Sequence, residues 1–176
     1  MNEIETKILD IDVDDIRKKA KKLNAPMVKS ENQINKIFDF PDKRLVISKG
    51  YARIRIVENL LDHSSHYYMT TKKIISQNKF KIMQENETEI FDAISGENIL
   101  RSLGLELIET VKKYRESYQY KNTLIEIDIN DKTFCPFPYI EIESKDEIEL
   151  EEVILLLGYT MEQTSSKSIY EITGKA

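Results

Sequence analysis

The segment EIETK, at residues 3–7, carries three charged residues that either face water or line a site. Which of the two holds depends on the fold that this strand joins. Successive side chains of a β-strand alternate between two faces, so Glu3, Glu5 and Lys7 project together on one side. Isoleucines occupy the other side. On a single strand, such an ionic face is ordinarily exposed to solvent. The question is therefore whether other strands repeat the pattern.

The same alternation recurs along most of the chain. Period-two patterns between turn residues predict strands at residues 3–10, 33–40, 51–58, 66–73, 80–91, 107–119, 122–129 and 138–144, with a short strand near 168–173. One face of nearly every strand is ionic, and isoleucine fills much of the other. The ionic positions are Arg53 and Arg55; Glu85, Glu87 and Glu89; Lys113 and Arg115; Glu126 and Asp128; Glu141 and Glu143.

Three helices are predicted among these strands. The first follows Asp12 as N-cap and ends near Asn24, the second runs from Ser95 to Gly104, and the third covers residues 145–158. The chain length suits a single domain, residues 1–176, of the α+β class. Eight antiparallel strands are enough for a closed or nearly closed β-barrel, with the helices packed outside on the aliphatic face.

Composition excludes several classes of protein. The net charge of −5 and the pI near 5.3 argue against a nucleic-acid partner. There is no apolar run near 18 residues and no signal-peptide pattern, so we expect no membrane partner and a cytoplasmic location. The single cysteine, Cys135, excludes an intramolecular disulfide and any CxxC motif.

A barrel of this kind places charges of both signs in its interior. Burying unpaired charges costs several kcal/mol per ion, so water and a bound ligand would have to compensate them. Basic residues bind a polyanion, and carboxylates without Cys or His partners bind hard cations such as Mg²⁺ or Mn²⁺. A polyphosphate with its metal ions meets both demands. The alternative is an ordinary sheet with its polar face in water.

The ordered set of motifs resembles the CYTH superfamily, or triphosphate tunnel metalloenzymes, which includes class IV adenylyl cyclases, thiamine triphosphatases and inorganic tripolyphosphatases. The ExExK motif is EIETK. It is followed by QINKIFDFPDKRL (33–45), YARIRI (51–56), YMTTKK (68–73), ENETEI (85–90), KKYRESY (112–118), IEIDIND (125–131), PYIEIES (138–144) and SKSIYEI (166–172). The resemblance covers Glu3 to Glu171.

The resemblance implies roles for the matching residues. Phosphate contacts are expected from Lys7, Arg53, Arg55, Lys72, Lys113 and Arg115. All of these except Arg53 are also candidate catalytic residues. Lys167 is expected to be a further phosphate contact near the tunnel mouth. Ligands of Mg²⁺ or Mn²⁺ are expected to be Glu3, Glu5, Asp128, Glu141 and Glu143, with Glu87 and Glu89 as further acids.

Two lysine positions involve a choice. The T-x-K spacing from Thr70 selects Lys72 over Lys73. The family often has Arg where this chain has Met83, and Lys81, two residues earlier on the same face, is expected to replace it at the substrate.

Three functions follow from the resemblance and the charges. The first is metal-dependent hydrolysis of a triphosphate, either tripolyphosphate, thiamine triphosphate or a nucleoside triphosphate. The second is a class IV adenylyl cyclase, which converts ATP to cyclic AMP and pyrophosphate; bacterial cyclases carry an aromatic, His-containing segment before ExExK that MNEIETK lacks. The third is a polyphosphate-binding module without turnover. The resemblance is also compatible with a homodimer.

Overall fold

Eight antiparallel strands form a closed barrel in the computed structural model, which describes residues 2–175. Met1 and Ala176, the two ends of the predicted domain, lie outside the described residues. Around the barrel the strand order is β1-β5-β4-β3-β2-β6-β7-β8, and β8 pairs with β1. The strands are β1 (Asn2–Leu9), β2 (Met27–Asp39), β3 (Gly50–Asn59), β4 (Ser65–Gln77), β5 (Lys81–Glu89), β6 (Glu106–Tyr120), β7 (Thr123–Asn130) and β8 (Tyr139–Ser144).

The hydrophobic core lies outside the barrel, between its aliphatic face and the helices. Ile125, Ile127 and Ile142 are fully buried there, together with Ile16 of the first helix and Leu150 of the fourth. The alternation of isoleucine with charged residues therefore directs the isoleucines outward under the helices and the charges inward. The predicted α+β barrel with external helices is confirmed.

Within residues 2–175 there are five α-helices, α1 (Val13–Lys22), α2 (Arg44–Ile47), α3 (Ala93–Ser102), α4 (Glu147–Leu156) and α5 (Ile169–Thr173), and a 3-10 helix at Met161–Gln163. Asp12 caps α1 as predicted, accepting hydrogen bonds from two backbone N–H groups. Helix α3 begins two residues before the predicted Ser95, because the side chain of Asp92 caps it. The short helix α2 was not predicted.

The prediction of a strand near residues 168–173 is wrong, since this segment forms α5. Ser168 and Glu171 make a reciprocal capping box, and Gly174 ends the helix with φ of 69°. The one backbone pairing of this region with the barrel is an isolated bridge between Lys7 and Ser165, among the residues described. Local capping thus prevails over a short alternating pattern.

Helix α5 packs at the end of the barrel where β1, β2, β4 and β7 end. The ring of Tyr170 meets that of Phe134 edge-on at 5.3 Å, and Gln77 at the end of β4 donates hydrogen bonds to Ser166 and Glu171. We call this end, with Tyr51, Phe134, Ile169 and Tyr170, the α5 mouth.

Candidate functional site

The barrel surrounds a cavity of about 910 Å³ whose walls carry charges of both signs. Inward-facing positions of all eight strands contribute to it. Its central cations are Lys7, Arg53, Arg55, Lys72, Lys81, Lys113 and Arg115, and its central acids are Glu3, Glu5, Glu85, Glu87, Glu126, Glu141 and Glu143. Lys29, Lys43, Lys49 and Lys175 also line the cavity.

Strand register brings the ends of the chain together in this cavity. Lys7 of β1 lies opposite Glu141 of β8, and Glu5 lies opposite both Glu143 and Lys81. Antiparallel neighbours at this spacing hold their side chains within reach of each other. Residues far apart in sequence therefore become one ionic cluster.

Two ammonium groups share one oxygen of Glu5. Lys7 Nζ lies 3.1 Å from Glu5 Oε1, and Lys81 Nζ contacts the same atom. Lys7 also donates to Glu141 Oε1 at 2.8 Å. Although burial opposes the shift, Glu141 and Glu5 raise the pKa of Lys7, so its ammonium stays charged. Burial and the neighbouring Lys7 lower the pKa of Lys81.

Arg115 is the most densely bonded cation of the site. Its Nε and Nη2 donate to the two oxygens of Asp128, each at 2.6 Å, while Nη1 donates to Glu126 and Nη2 to Glu141 at 3.1 Å. Asp128 also accepts from Lys113 at 2.9 Å. Burial, then the adjacent Arg115, lowers the pKa of Lys113 to about 8 in spite of Asp128.

The opposite wall pairs basic β3 and β4 with acidic β5. Lys72 Nζ lies 2.6 Å from Glu85 Oε2 and 3.3 Å from Glu3 Oε2. Arg55 Nη2 donates to both oxygens of Glu87 at 2.7 Å, and Arg53 Nη2 approaches the same carboxylate at 3.4 Å. Burial alone would raise the pKa of Glu85, but the neighbouring Lys72 lowers this pKa to about 2.

Two acids hold their protons more tightly than usual. Burial, then the hydrogen bond to Glu85, raises the pKa of Glu3 to about 7. Burial, then repulsion from Glu126 and Glu3, raises the pKa of Glu143 to about 8. Within residues 2–175, Glu143 takes part in no ion pair. This part of the cavity therefore has a local excess of carboxylate.

Most of the predicted site residues meet in the cavity, and Lys72 lines it where Lys73 is exposed. Lys81 and Met83 both line the wall. Asp128 is fully buried behind its partners Lys113 and Arg115.

Two predicted residues lie elsewhere. The side chain of Glu89 is 58% exposed and pairs with His66, and Lys167 is exposed and does not line the cavity.

Several cavity residues were given no role in the site by the sequence prediction. Glu85 and Glu126 lie at the same parity as the predicted Glu87 and Asp128, so the alternation contained the signal to include them. The aromatic residues of the α5 mouth had no such signal, because Tyr51 and Tyr170 come from distant parts of the chain.

The chemistry of the donors fits a hard divalent cation. Glu3, Glu5, Glu141 and Glu143 offer only carboxylate oxygens, which suit Mg²⁺ or Mn²⁺. No group of three or more His, Cys, Asp or Glu side chains among the described residues forms a ready metal site. Most of these carboxylates form ion pairs with lysine or arginine side chains instead.

The fold and the cavity define a class: a closed eight-stranded β-barrel with an ionic tunnel. The chain belongs to the CYTH family, because the CYTH domain matches residues 1–169. Members of this family are triphosphate tunnel enzymes and typically use divalent metals. The resemblance found in the sequence is confirmed.

Solved structures share this fold at low identity. The PH1012 protein of Pyrococcus horikoshii is 24% identical, covers 96% of this chain and 98% of its own, and gives a TM-score of 0.79. A candidate adenylate cyclase of Vibrio parahaemolyticus is 17% identical, covers 99% and 98%, and gives 0.78. HpAC1 of Hippeastrum, an adenylyl cyclase candidate with dominant triphosphatase activity, is 16% identical, covers 99% and 96%, and gives 0.70.

A comparison with curated proteins finds no match. Among residues 2–175, none of the helices has the length and apolar character needed to cross a membrane.

Proposed function

We propose that this protein hydrolyses a triphosphate-bearing small molecule in its tunnel, with Mg²⁺ or Mn²⁺ as cofactor. The observation that carries the proposal is the cavity of about 910 Å³ in which the seven central cations are each paired with carboxylates. A polyanion needs the cations. The carboxylates are useful to it only if divalent cations accompany the phosphates.

The basic residues bind and orient the phosphate chain. Phosphoryl transfer requires mainly positioning and neutralisation of phosphate oxygens, and fixed guanidinium and ammonium groups supply both. Arg115 is held by Asp128 and Glu126, so it presents its charge with little loss of conformational freedom. Arg55, held by Glu87, plays the same part on the opposite wall.

Hydrolysis breaks one phosphoanhydride bond. The oxygen of water attacks a terminal phosphorus, the bond to the bridging oxygen breaks, and orthophosphate and a diphosphate leave. A divalent cation, when bound, neutralises phosphate charge and lowers the pKa of water. Glu3, Glu5, Glu141 and Glu143 are the residues that would hold it, with Asp128 behind Arg115 supporting the site.

A class IV adenylyl cyclase is the second candidate. In that reaction the ribose 3′-hydroxyl of ATP attacks the α-phosphorus and pyrophosphate leaves. The cavity supports this candidate by its size, since pockets of about 300–1,000 Å³ hold molecules as large as nucleotides. The aromatic α5 mouth supplies a surface for a base.

Product analysis distinguishes the two reactions. The purified protein is incubated with ATP, thiamine triphosphate and tripolyphosphate in Mg²⁺ or Mn²⁺, and the products are identified by chromatography. Orthophosphate with the matching diphosphate is expected. Cyclic AMP with pyrophosphate would replace the hydrolase proposal by the cyclase, and binding without any product would leave a polyphosphate-binding module.

Replacing Glu5 tests the role of the acids. Glu5→Gln keeps the size of the side chain and removes its charge, so we expect at least a 100-fold loss of kcat, on the order of the cost of one removed electrostatic group. The matched control is Glu162→Gln, an exposed glutamate outside the cavity. Circular dichroism of both variants checks folding. Full activity in Glu5→Gln would contradict the proposed role.

A further inference from the structure

Glu5 forms ion pairs with two cations, although one cation would balance its charge. Its side chain is 4% exposed, and a single oxygen, Oε1, receives both Lys7 and Lys81. Two ammonium groups thus approach one negative charge. Lys7 has a second carboxylate, Glu141, at 2.8 Å. The charge of Lys7 is therefore compensated even if Glu5 acquires another partner.

Lys81 is placed differently. In the pairing of β1 with β5, it lies directly opposite Glu5, and its ion pair is with that residue. Its side chain is only 7% exposed, so solvent cannot easily replace Glu5 as a partner. It also lines the cavity, next to the space where a phosphate chain would lie. Lys81 is the single cation in the β5 sequence KIMQENETE.

We propose that Lys81 is an exchangeable occupant of a divalent-cation position at Glu5, which couples cation binding to triphosphate binding. Without ligands, the ammonium of Lys81 neutralises Glu5. When a divalent cation takes Glu5, Lys81 loses its partner and donates to a phosphate oxygen. The inference rests on the proposed function for its two ligands, but not on turnover.

The exchange makes the two ligands favour each other. A divalent cation alone must displace an ammonium from Glu5 and leave it buried without a partner, which is costly. A phosphate chain alone must draw Lys81 from Glu5 and expose a carboxylate to its own negative charge. Together, each ligand removes the penalty of the other. Linkage requires this effect to be equal in both directions.

Binding measurements on the full chain test the coupling. Mn²⁺ affinity is measured by electron paramagnetic resonance, without and with tripolyphosphate at 4 °C, and tripolyphosphate affinity is measured by calorimetry in EDTA. Orthophosphate release is monitored so that only intact tripolyphosphate is counted. The variants are Lys81→Met, which removes the ammonium, and Lys73→Met, a matched control at an exposed position outside the cavity.

In the wild-type protein and in Lys73→Met, tripolyphosphate should tighten Mn²⁺ binding. In Lys81→Met, Mn²⁺ alone should bind about 10-fold more tightly, and tripolyphosphate in EDTA about 10-fold more weakly, so that the coupling decreases. Equal Mn²⁺ affinity in both variants, or unchanged coupling, would overturn the inference. If Lys81→Met does not fold, Lys81→Gln, which also removes the ammonium, takes its place in the same comparison with Lys73→Met.

The two proposals fail separately. Coupling that depends on Lys81 in a protein that releases no product would retain the ion exchange and reject the hydrolase. Product release with no effect of Lys81→Met on Mn²⁺ binding would retain the hydrolase and reject the ion exchange.

Discussion

Among the cavity carboxylates, Glu143 differs from Glu141 only in its neighbours. Both residues are half-buried. Desolvation opposes ionisation of Glu141, but the neighbouring Lys7 and Arg115 hold its pKa well below the usual range. Desolvation, then repulsion from Glu126 and Glu3, raises the pKa of Glu143 to about 8. The two residues occupy one face of one strand, so their protonation is set by the strands on either side.

This contrast predicts a pH dependence of stability in EDTA. The pKa of Glu143 is 4.5 before burial and about 8 in the folded protein, so the folded state binds the extra proton between these pH values. The stabilisation of the folded state by this proton is complete below pH 4.5 and is lost as the pH rises through 8. In Glu143→Gln, the loss of unfolding free energy between pH 5 and pH 9 should be smaller by on the order of a few kcal/mol.

Urea denaturation at several pH values measures this difference. Glu162→Gln, at an exposed position, is the control and should follow the wild-type curve. Parallel curves for Glu143→Gln and the wild-type protein would show that residue 143 is ionised in the folded state throughout this range.

At the scale of elements, the alternation of charge and isoleucine was sufficient to predict which face of six of the eight strands, β1, β3, β5, β6, β7 and β8, lines the cavity. It was not sufficient for the boundaries. β2 begins at Met27, six residues before the predicted start, because β6 pairs with it from Met27 to Asp39. Nor could it identify α5, which is stabilised by a capping box and by contacts with residues distant in sequence.

The ion pairs were also beyond the sequence. Parity showed that Glu126 faces inward, but its contact with Arg115 and Ser117 depends on the register of β6 and β7. Lys81 and Glu5 likewise meet because β5 pairs with β1. A strand pattern specifies a face, whereas a partner is specified only when neighbouring strands are known.

Helix α3 provides a prediction for packing between elements. A Cβ atom on Gly96 would lie 2.5 Å from Ile90 Cδ1 and 2.9 Å from Ile54 Cδ1, and Ile54 is fully buried. Gly96→Val should therefore lower the unfolding free energy by about 2 kcal/mol through overpacking. Asn98→Val, on the exposed side of the same helix, introduces the same residue without this contact and should cost much less.

Urea denaturation of both variants measures the difference. Equal losses of stability would mean that the effect arises from helix propensity and that α3 can move away from β3 at little cost.

At the scale of the whole molecule, barrel closure joins the two ends of the chain around one cavity. The ion pair of Lys7 and Glu141 spans 134 residues, and that of Lys72 and Glu3 spans 69. The residues that line the tunnel also differ between its middle and the α5 mouth. Charged residues surround its middle, and at the α5 mouth the rings of Tyr51, Tyr170 and Phe134 are added to charged side chains such as Glu109 and Lys175.

This division bears on the choice of substrate. A triphosphate chain needs only the charged section, and it would fill a small part of a cavity of about 910 Å³. The aromatic section is suited to an organic group attached to the phosphates, because rings stack on rings and exclude water. We therefore expect a triphosphate ester to bind more tightly than inorganic tripolyphosphate.

Removal of an aromatic ring at the α5 mouth tests this preference. Tyr51→Ala should raise KM for ATP or thiamine triphosphate about 10-fold, since one stacked ring contributes roughly 1 kcal/mol beyond the area that it buries. The same variant assayed with tripolyphosphate is the internal control, because Tyr51 also lies 5.9 Å from the guanidinium of Arg53 and could disturb it. A selective effect on the esters would place the organic group at the α5 mouth. An equal loss with all three substrates would instead assign the effect to Arg53 and contradict stacking of the organic group on Tyr51.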